Sequence, residues 1–250
     1  MHIPDGILPA QVSVVGYAIA VPLIGYSLRR IELQSRRHPA GVSRTIPKAA
    51  LLTATFFVAS SLYLPGPPPL GTIHFLMNGL LGVVLGYYAI PAIVSGLLFQ
   101  ALLLGHGGLT TLGLNTLLLG VPALLAHHLF ESRHWLIPKM TAGGRVPTRM
   151  LHGLFGGVAG FVGVMGAALL FFALVISTIP ADINAATEQA AISLMTLVNL
   201  PLAIIEGLFT GSFVVFILRT KPELLDSPGD RTRGQSSHPQ AHQQTEQRTG

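Results

Sequence analysis

The first two residues of the chain, Met1 and His2, carry three nitrogen atoms that could bind one metal ion together. These are the α-amine, the backbone nitrogen of His2 and the His2 imidazole. The amine and the backbone nitrogen would close one chelate ring, and the backbone and near imidazole nitrogens a second. The three donors would then lie nearly in a plane and leave one in-plane position for another imidazole. Such a site suits Ni(II) or Cu(II) and can accept Co(II).

His74 could supply this fourth donor if the fold brings it to the amino terminus. Pro4 and Gly6 favour a sharp turn after His2, which would let the terminus fold back onto the chain. We expect the initiator methionine to remain, because a bulky residue at position 2 generally blocks its removal. The simpler interpretation is that His2 is only the second residue of a translated chain. The chain has no cysteine, which excludes thiolate metal sites and disulfides.

The composition is that of a membrane protein. Half of the residues are hydrophobic and 10% are charged, whereas soluble domains carry roughly 25% charged residues. The mean hydropathy is +0.60, and a membrane crossing needs about 20 apolar residues. The sequence therefore predicts an all-α polytopic membrane helix bundle with about seven transmembrane helices, at residues 10–28, 48–64, 73–86, 88–104, 112–130, 151–178 and 190–218. The third span is short, and six spans with one re-entrant segment is the alternative count.

The basic residues predict an orientation for this bundle. On the seven-span count all 15 lysines and arginines fall on one side, in the loops 29–48 and 131–149 and in the region after residue 218. Positively charged loops face the cytoplasm, so we expect the amino terminus outside and the carboxyl terminus inside. An error of one span would scatter these charges over both faces.

Four segments of the chain resemble the CbiM/NikM family. They are MHIPDGILP at the start, GTIHFLMNGLLGVVLG at 71–86, FQALLLGHGGLTTLGLN at 99–115 and PLAIIEGLFTG at 201–211. The family comprises the substrate-capture membrane subunits of energy-coupling-factor transporters for cobalt and nickel, and the resemblance covers roughly residues 1–218. It implies a multi-pass protein of a bacterial or archaeal cell membrane that binds Ni(II) or Co(II) as transported ligand, without a catalytic cofactor. It also implies metal ligation by Met1, His2 and His74.

The resemblance further implies partner subunits. These are a coupling transmembrane subunit, two ATPase subunits and, in some systems, a small accessory membrane subunit. The chain itself has no GxxxxGK[ST] motif and therefore cannot hydrolyse ATP alone. The stretch Thr72-Ile73 before His74 stands where cobalt members more often have serines, so nickel and cobalt remain alternatives. We expect residues 1–220 to form the transmembrane metal-capture domain, and residues 221–250, a polar run with few apolar residues to bury, to form a disordered cytoplasmic tail.

Several polar residues are candidates for supporting the site. Asn78 follows His74 by one turn of the predicted third helix, where it could orient His74 or a water molecule, or pack against a neighbouring helix. His106, in a glycine-rich outer turn, could act as a ligand or in metal access, or make a structural hydrogen bond. Asn115 is expected to pack in the same region, and Asp5 could attract cations to the outer face.

Glu206 falls inside the last predicted helix, where an ionisable group is functional or partnered by default. We favour a buried structural or coupling role for it over direct ligation, since nitrogen donors already fill a plane.

Glycines spaced three and four residues apart form a stripe along the sixth predicted helix, at Gly153, Gly156, Gly157, Gly160 and Gly163. Such a stripe lets another backbone approach closely, either within the chain or from a partner subunit.

Two other functions are the alternatives to metal capture. An intramembrane metalloenzyme would need an open metal position beside a general base, and no HExxH or paired carboxylate motif is present. A capture subunit for an organic vitamin would need an aromatic-lined pocket, whereas the one tryptophan, Trp135, falls on the cytoplasmic side of the predicted bundle. The composition gives no indication of nucleic-acid binding, and the basic loops instead favour contact with the lipid bilayer.

Overall fold

The computed structural model describes residues 3–37, 39–62, 64–65, 72–141, 147–178 and 185–225. Most of the chain in these ranges is α-helical. The helices are α1 (Ala10–Arg37), α2 (Pro39–Ser61), α3 (Asn78–Leu85), α4 (Ala89–Leu104), α5 (Leu112–Glu131), α6 (Arg133–Thr141), α7 (Thr148–Thr178) and α8 (Ala185–Thr220). Two short strands, β1 (Leu64–Pro65) and β2 (Thr72–Ile73), pair antiparallel, and 3-10 turns cover Gly86–Tyr88 and Pro222–Leu224.

Five apolar stretches among the described residues are long enough to cross a membrane. They are Ala10–Arg37, Asn78–Leu104, Leu112–Thr141, Thr148–Thr178 and Asn199–Thr220. These stretches confirm the predicted all-α polytopic membrane bundle. The count of about seven crossings and the orientation stay predictions.

The stretch Asn78–Leu104 folds back on itself. A straight helix of its 27 residues would hold its ends about 40 Å apart. Instead His74 and His106, which flank the stretch, lie with their ring centroids 5.7 Å apart. The chain reverses at Gly86, whose φ of +59° favours glycine and where a Cβ would lie only 3.1 Å from the His127 ring. α3 and α4 are therefore the two arms of a helical hairpin.

This hairpin defines two ends of the bundle. We call the end with His74 and His106 the histidine end. At the opposite end Ser27 and Arg30 of α1 donate hydrogen bonds to the carbonyl oxygen and the hydroxyl of Tyr87, at 2.5 and 2.8 Å. We call this the basic end, because Arg30 and two further cations described below contact it.

α3 is the central element of the bundle. All eight of its residues are buried, and it contacts α2, α4, α5, α7 and α8. Its glycines lie directly against other backbones, Gly79 against Gly160 and Gly163 of α7 and Gly82 against Ala123 of α5. With eight residues α3 is about 12 Å long, which is too short to cross a membrane by itself.

The structure corrects two predicted boundaries. The third span was expected from residue 73, but α3 begins at Asn78, and residues 74–77 are not helical. Asn78 therefore does not lie one helical turn after His74 on a shared face. The apolar pattern concealed this start because contacts with a distant residue, Glu206, hold the segment out of a helix. The predicted loop 131–149 also contains a helix, α6.

Two cations close the basic end with the last described residues. Lys48 of α2 donates hydrogen bonds to the carbonyl oxygens of Val84, near the end of α3, and of Leu224, both at 3.0 Å. Arg133 of α6 donates to the carbonyl oxygens of Phe130 at 3.0 Å and Leu225 at 3.4 Å. The turn Pro222–Leu224 is thereby fastened across the end of α3.

The glycine stripe of α7 lies against other segments of the same chain. Gly153, Gly156, Gly157 and Gly160 face α8, and Gly163 faces Gly79 of α3. The tightest of these contacts is at Gly163, where a Cβ would lie 2.5 Å from the Cα of Gly79. Intramolecular packing, one of the two predicted uses of the stripe, is therefore what the fold contains.

Candidate metal centre

The first described residue, Ile3, is pinned to the start of α5. Its N–H donates to Asn115 Oδ1 at 2.9 Å, and its carbonyl oxygen accepts from Asn115 Nδ2 at 3.1 Å and Thr111 Oγ1 at 2.6 Å. A side-chain amide offers both an acceptor and donors, so Asn115 holds both polar groups of one residue. Ile3 itself is 3% exposed. The residue that follows the predicted ligands Met1 and His2 thus has a fixed place.

Asp5 makes a second attachment to the same loop. Its carboxylate accepts hydrogen bonds from the backbone amides of Leu109 at 3.1 Å and Thr110 at 3.0 Å, and from the Thr110 hydroxyl at 2.5 Å. These bonds, above all the one from the hydroxyl, lower the pKa of Asp5 below its ordinary value of 3.8. Gly108 leaves the necessary room, since a Cβ there would lie 1.9 Å from Asp5 Oδ1. The carboxylate therefore fastens the amino-terminal segment to the loop, and its predicted attraction of cations stays a prediction.

His74 lies in the non-helical segment before α3 and is 9% exposed. Two residues further on, the backbone amides of Leu76 and Met77 donate to Glu206 Oε1 and Oε2, at 2.5 and 2.8 Å. Met77 has a φ of +49°, a left-handed conformation that non-glycine residues adopt at some cost. The segment therefore holds a strained turn, which both oxygens of a buried carboxyl group from α8 fasten.

Glu206 thus contacts the backbone that carries His74, and it is 4% exposed. Backbone amides before the first turn of a helix have no partner within that helix, and a carboxyl group is well suited to accept from them. The geometry explains how an ionisable residue is accommodated in the bundle interior. The sequence predicted a partnered residue here, but not which segment it would contact.

The imidazoles of His74 and His106 meet edge to face, with an interplanar angle of 87°. His106 follows α4 in the loop that Asp5 also contacts, and its backbone N–H donates to the carbonyl oxygen of Gln100 at 3.0 Å. Burial lowers the pKa of His106 below its ordinary value of 6.5. The neutral form, whose ring nitrogen can bind a metal, therefore predominates at neutral pH.

Asn78 is fully buried at the first position of α3. Its Nδ2 donates to the carbonyl oxygens of Leu119, at 3.2 Å, and Gly163, at 2.9 Å, and so joins α3 to α5 and α7. Its Oδ1 has no hydrogen-bond partner among the described residues. These contacts correspond to helix packing, one of the roles that the sequence left open for Asn78, and they do not use its Oδ1.

One face of α5 brings these attachments together. Asn115 holds Ile3, and Leu119, which accepts from Asn78, follows one turn later on the same face. Residues in this relation lie about 6 Å apart along a helix. The attachment of the amino-terminal segment and the start of α3 are therefore close neighbours.

The predicted ligands Met1 and His2 lie outside the described residues. Within the part of the chain that the structure describes, no group of three or more His, Asp and Glu side chains could hold a metal ion. Among these side chains, the structure brings the imidazoles of His74 and His106 together.

The sequence reasoning missed Thr111 and Gly108, although both belong to the HGGLTTLG stretch. The hydroxyl of Thr111 donates to the carbonyl oxygen of Ile3, and the absence of a side chain at Gly108 makes room for Asp5. These contacts join residues more than 100 positions apart in sequence.

Comparison with known proteins shows the family to which this chain belongs. The profile of the CbiM family, described as the cobalt uptake substrate-specific transmembrane region, matches residues 2–224. The chain belongs to this family. It is accordingly a multi-pass membrane component of cobalt and nickel uptake, and its family is one of transporters rather than of enzymes.

Individual relatives agree with the CbiM assignment. A protein of Haemophilus influenzae named for metal transport is 30% identical over 227 residues, which cover 90% of this chain and 97% of the relative. A CbiM protein of Methanocorpusculum labreanum named for cobalt transport is 32% identical over 242 residues, covering 92% and 94%. The fused nickel transport protein NikMN of Rhodobacter capsulatus is 30% identical over 90% of this chain and 64% of its own length.

The fold of this CbiM family member is also found in crystal structures of transition metal transporters. A truncated form has a TM-score of 0.67 over 88% of this chain and 99% of that one, and a second structure has 0.68 over 94% and 100%. Both are 24% identical to this chain, so the likeness concerns the fold. The profile match ends at residue 224. It therefore includes the turn Pro222–Leu224, which Lys48 fastens at the basic end.

Proposed function

We propose that this chain is the substrate-capture membrane subunit of an ATP-driven uptake system for Ni(II) or Co(II). The proposed ligands are the Met1 amine, the backbone nitrogen and imidazole of His2, and the imidazole of His74. The observation that carries the proposal is the clamp of Asn115 on Ile3. Because His2 is covalently joined to Ile3, this clamp limits how far its nitrogens can be from the loop next to His74.

The neighbourhood of the clamp supports a nitrogen site. His74 is a buried imidazole on a strained, fastened segment, which is how a ligand is held in one orientation. His106 lies against it and is proposed to support His74 or to act in metal access at the same end. The described carboxylates near this end, Asp5 and Glu206, both accept hydrogen bonds from backbone amides, which favours the imidazoles over these carboxylates as metal ligands.

We propose seven crossings, the third made by α3 together with the non-helical residues 74–77 before it, with the histidine end outside and the basic end inside. The support is that α3 and α4 form a hairpin and that the cations described above contact the end opposite His74. In this cysteine-free chain, single cysteines at Pro68 and Ser35 should be labelled from outside and inside, respectively. Labelling of both from one side of intact cells would contradict the proposed orientation.

Transport would require partner subunits. We propose a coupling transmembrane subunit, two ATPase subunits and in some systems a small accessory membrane subunit, because the chain carries no phosphate-binding motif. The fused NikMN relative is longer than this chain, which is compatible with a further membrane component. The capture domain, predicted as residues 1–220, would extend through the fastened turn to Leu225, and residues 226–250 would form a cytoplasmic tail.

The proposed ligand set has a direct test at the amino terminus. Adding an amino-terminal tag of about ten residues before Met1 converts the amine into an amide and places the next free amine too far from His2 to join it on one metal ion, so the fused chelate rings of the proposed site cannot form. We expect the extended protein to lose measurable Ni(II) and Co(II) binding in titrations of the purified full chain. A tag added after Gly250 is the control and should leave binding unchanged. Normal affinity and uptake by the extended protein would refute the proposed ligands, whichever metal is preferred.

A further inference from the structure

An exposed, mostly apolar groove runs between α7 and α8. Its floor is the close contact of Gly157 with Gly207 and Gly211, where a Cβ at Gly157 would lie 3.3 Å from the Gly207 carbonyl oxygen. Apolar side chains form the rims, among them Leu154 and Leu208, which are 56% and 68% exposed. The cavity has a volume of about 800 Å³, which lies in the range of small-ligand sites. The glycines thus leave a channel that larger residues would have filled.

The length of the groove corresponds to one leaflet of a bilayer. Its lining extends from Met150 to Phe161 on α7 and from Ile204 to Arg219 on α8, and these 11 and 15 residue steps cover about 16 and 22 Å. A bilayer is about 40–45 Å thick with its headgroup regions and about 30 Å without them, so the groove reaches from the polar surface to near the middle. A crossing helix of a partner subunit would need about the full thickness.

The groove opens at the basic end into a polar mouth. A second cavity of about 660 Å³ shares Met150, Val215 and Arg219 with the groove and is lined as well by Arg149 and Thr148. Both arginines are exposed. The ion pairs found among the described residues include neither of them. Two cations therefore face one cavity at the surface end of an apolar channel.

We propose that this groove binds one anionic phospholipid, with an acyl chain along the glycine floor and the phosphate between Arg149 and Arg219. Charge complementarity selects this occupant, because a basic pocket between helices at one membrane surface matches an anionic headgroup. Guanidinium groups bind phosphate through paired hydrogen bonds. The inference goes beyond metal capture and does not depend on which residues bind the metal.

The test compares phosphatidylglycerol with phosphatidylcholine of identical acyl chains. Each is titrated into the full-length protein in a neutral detergent, and bound lipid is counted by native mass spectrometry. We expect one phosphatidylglycerol to bind in clear preference to phosphatidylcholine. Arg149→Gln with Arg219→Gln should weaken it by roughly fivefold per arginine, the usual effect of a basic residue at an anionic membrane surface. Arg29→Gln with Arg37→Gln, which removes two charges elsewhere on α1, should have little effect.

A second pair of variants tests the channel itself. Ser212 lines the groove and is exposed, so Ser212→Phe should fill the channel and abolish the preference while melting remains normal. Ser177→Phe, at the other end of α7, is the matched control and should bind lipid normally. If the Arg149/Arg219 and Arg29/Arg37 double variants lose phosphatidylglycerol binding equally, the lipid is attracted by overall positive charge and not by this groove, which would overturn the proposal. Release of a co-purifying membrane subunit by Ser212→Phe, with lipid binding intact, would instead make the groove a protein contact.

Discussion

At the start of α3 a carboxyl group from α8 accepts hydrogen bonds from two backbone amides, whereas near its end an ammonium group from α2 donates to a carbonyl oxygen. Glu206 and Lys48 thus complement the two poles of one buried helix, which carries partial positive charge at its start and partial negative charge at its end. The same short helix is fastened at both ends by side chains from other parts of the sequence.

The two attachments differ in what else they hold. Glu206 uses both oxygens on the segment that carries His74, so it fixes a single turn, next to the contact between the His74 and His106 rings. Lys48 divides its hydrogen bonds between α3 and the turn Pro222–Leu224. The histidine end therefore brings together side chains that can bind a metal. At the basic end, cationic side chains instead donate hydrogen bonds to backbone carbonyl oxygens and hold the end of the bundle together. Variants at the two ends should accordingly separate metal binding from stability.

The largest expected effect on metal binding within the described residues is at His74. His74→Ala should weaken Ni(II) binding by more than about a hundredfold, beyond the 10–100-fold typical of residues that only support a ligand. Because packing and not metal holds the bundle together, the metal-free protein should still be folded. Calorimetric titration and circular dichroism of the purified variant measure the two quantities.

His106→Ala is the matched variant for this comparison, since the two rings are in contact. If His106 only supports His74, the variant should lose no more than about 10–100-fold in metal affinity. Native affinity in His74→Ala together with lost affinity in His106→Ala would show that the ligand had been assigned to the wrong histidine.

The next effect in size is expected at Glu206. Glu206→Gln replaces one acceptor oxygen with an NH₂ group that faces a backbone N–H, so a buried donor loses its partner. This should lower the free energy of unfolding by about 1–3 kcal/mol and also weaken metal binding, because the His74 segment is displaced. Thermal unfolding without metal and a metal titration of the same sample report both effects.

Glu206→Asp separates charge from geometry at this position. The shorter side chain keeps the carboxylate but cannot reach both Leu76 and Met77. If geometry matters, the two variants should lose metal affinity to a similar extent. Full affinity in Glu206→Asp would indicate that a negative charge near the site suffices, and the role of fastening the His74 segment would be lost.

Part of this arrangement could be predicted from sequence. Hydropathy located the long helices, since membrane helices are apolar along their whole length, and the resemblance singled out His74. The start of α3 could not be located, because the residues on both sides of Asn78 are apolar and give no signal for a helix start. The helix begins at Asn78 because Leu76 and Met77 donate hydrogen bonds to Glu206, which is distant in sequence. The clamp of Asn115 on Ile3 spans 112 residues, and no local pattern indicates such a pair. Lys48 and Arg133 were interpreted only as orienting charges, since their carbonyl partners carry no signal in sequence.

At the basic end we expect a smaller effect, which lowers stability but not metal affinity. Lys48→Met keeps the length of the side chain but removes the donor shared by Val84 and Leu224. The protein should lose about 1–2 kcal/mol of unfolding free energy, with metal affinity unchanged within about twofold. Lys48→Arg, which can still donate, is the control and should be closer to the wild type. A large loss of metal affinity in Lys48→Met would show that the two ends of α3 are coupled, against the separation described here.

The smallest effect is expected at Asp5, whose hydrogen bonds are exposed to water. Asp5→Asn removes the charge and one good acceptor, so the amides of Leu109 and Thr110 should exchange with deuterium several-fold faster, while the melting temperature stays the same. Gly108→Ala should have the larger effect of the two, because the added Cβ would overlap Asp5 Oδ1. Hydrogen–deuterium exchange at neutral pH measures both. Unchanged exchange in both variants would mean that Asp5 does not fasten the loop.

The pH dependence gives Asp5 a signature of its own. Its pKa is lowered in the folded chain, so the stabilisation is fully present above the ordinary value of 3.8 and is lost as the pH falls through the lower folded value. Between pH 6 and 8 the ratio of exchange rates in Asp5→Asn and wild type should therefore be constant once intrinsic exchange is corrected. It should approach one only under strongly acidic conditions. A ratio that already changes near pH 6.5 would point to a histidine such as His106, and the protection of this loop would then depend on the imidazole pair and not on the carboxylate.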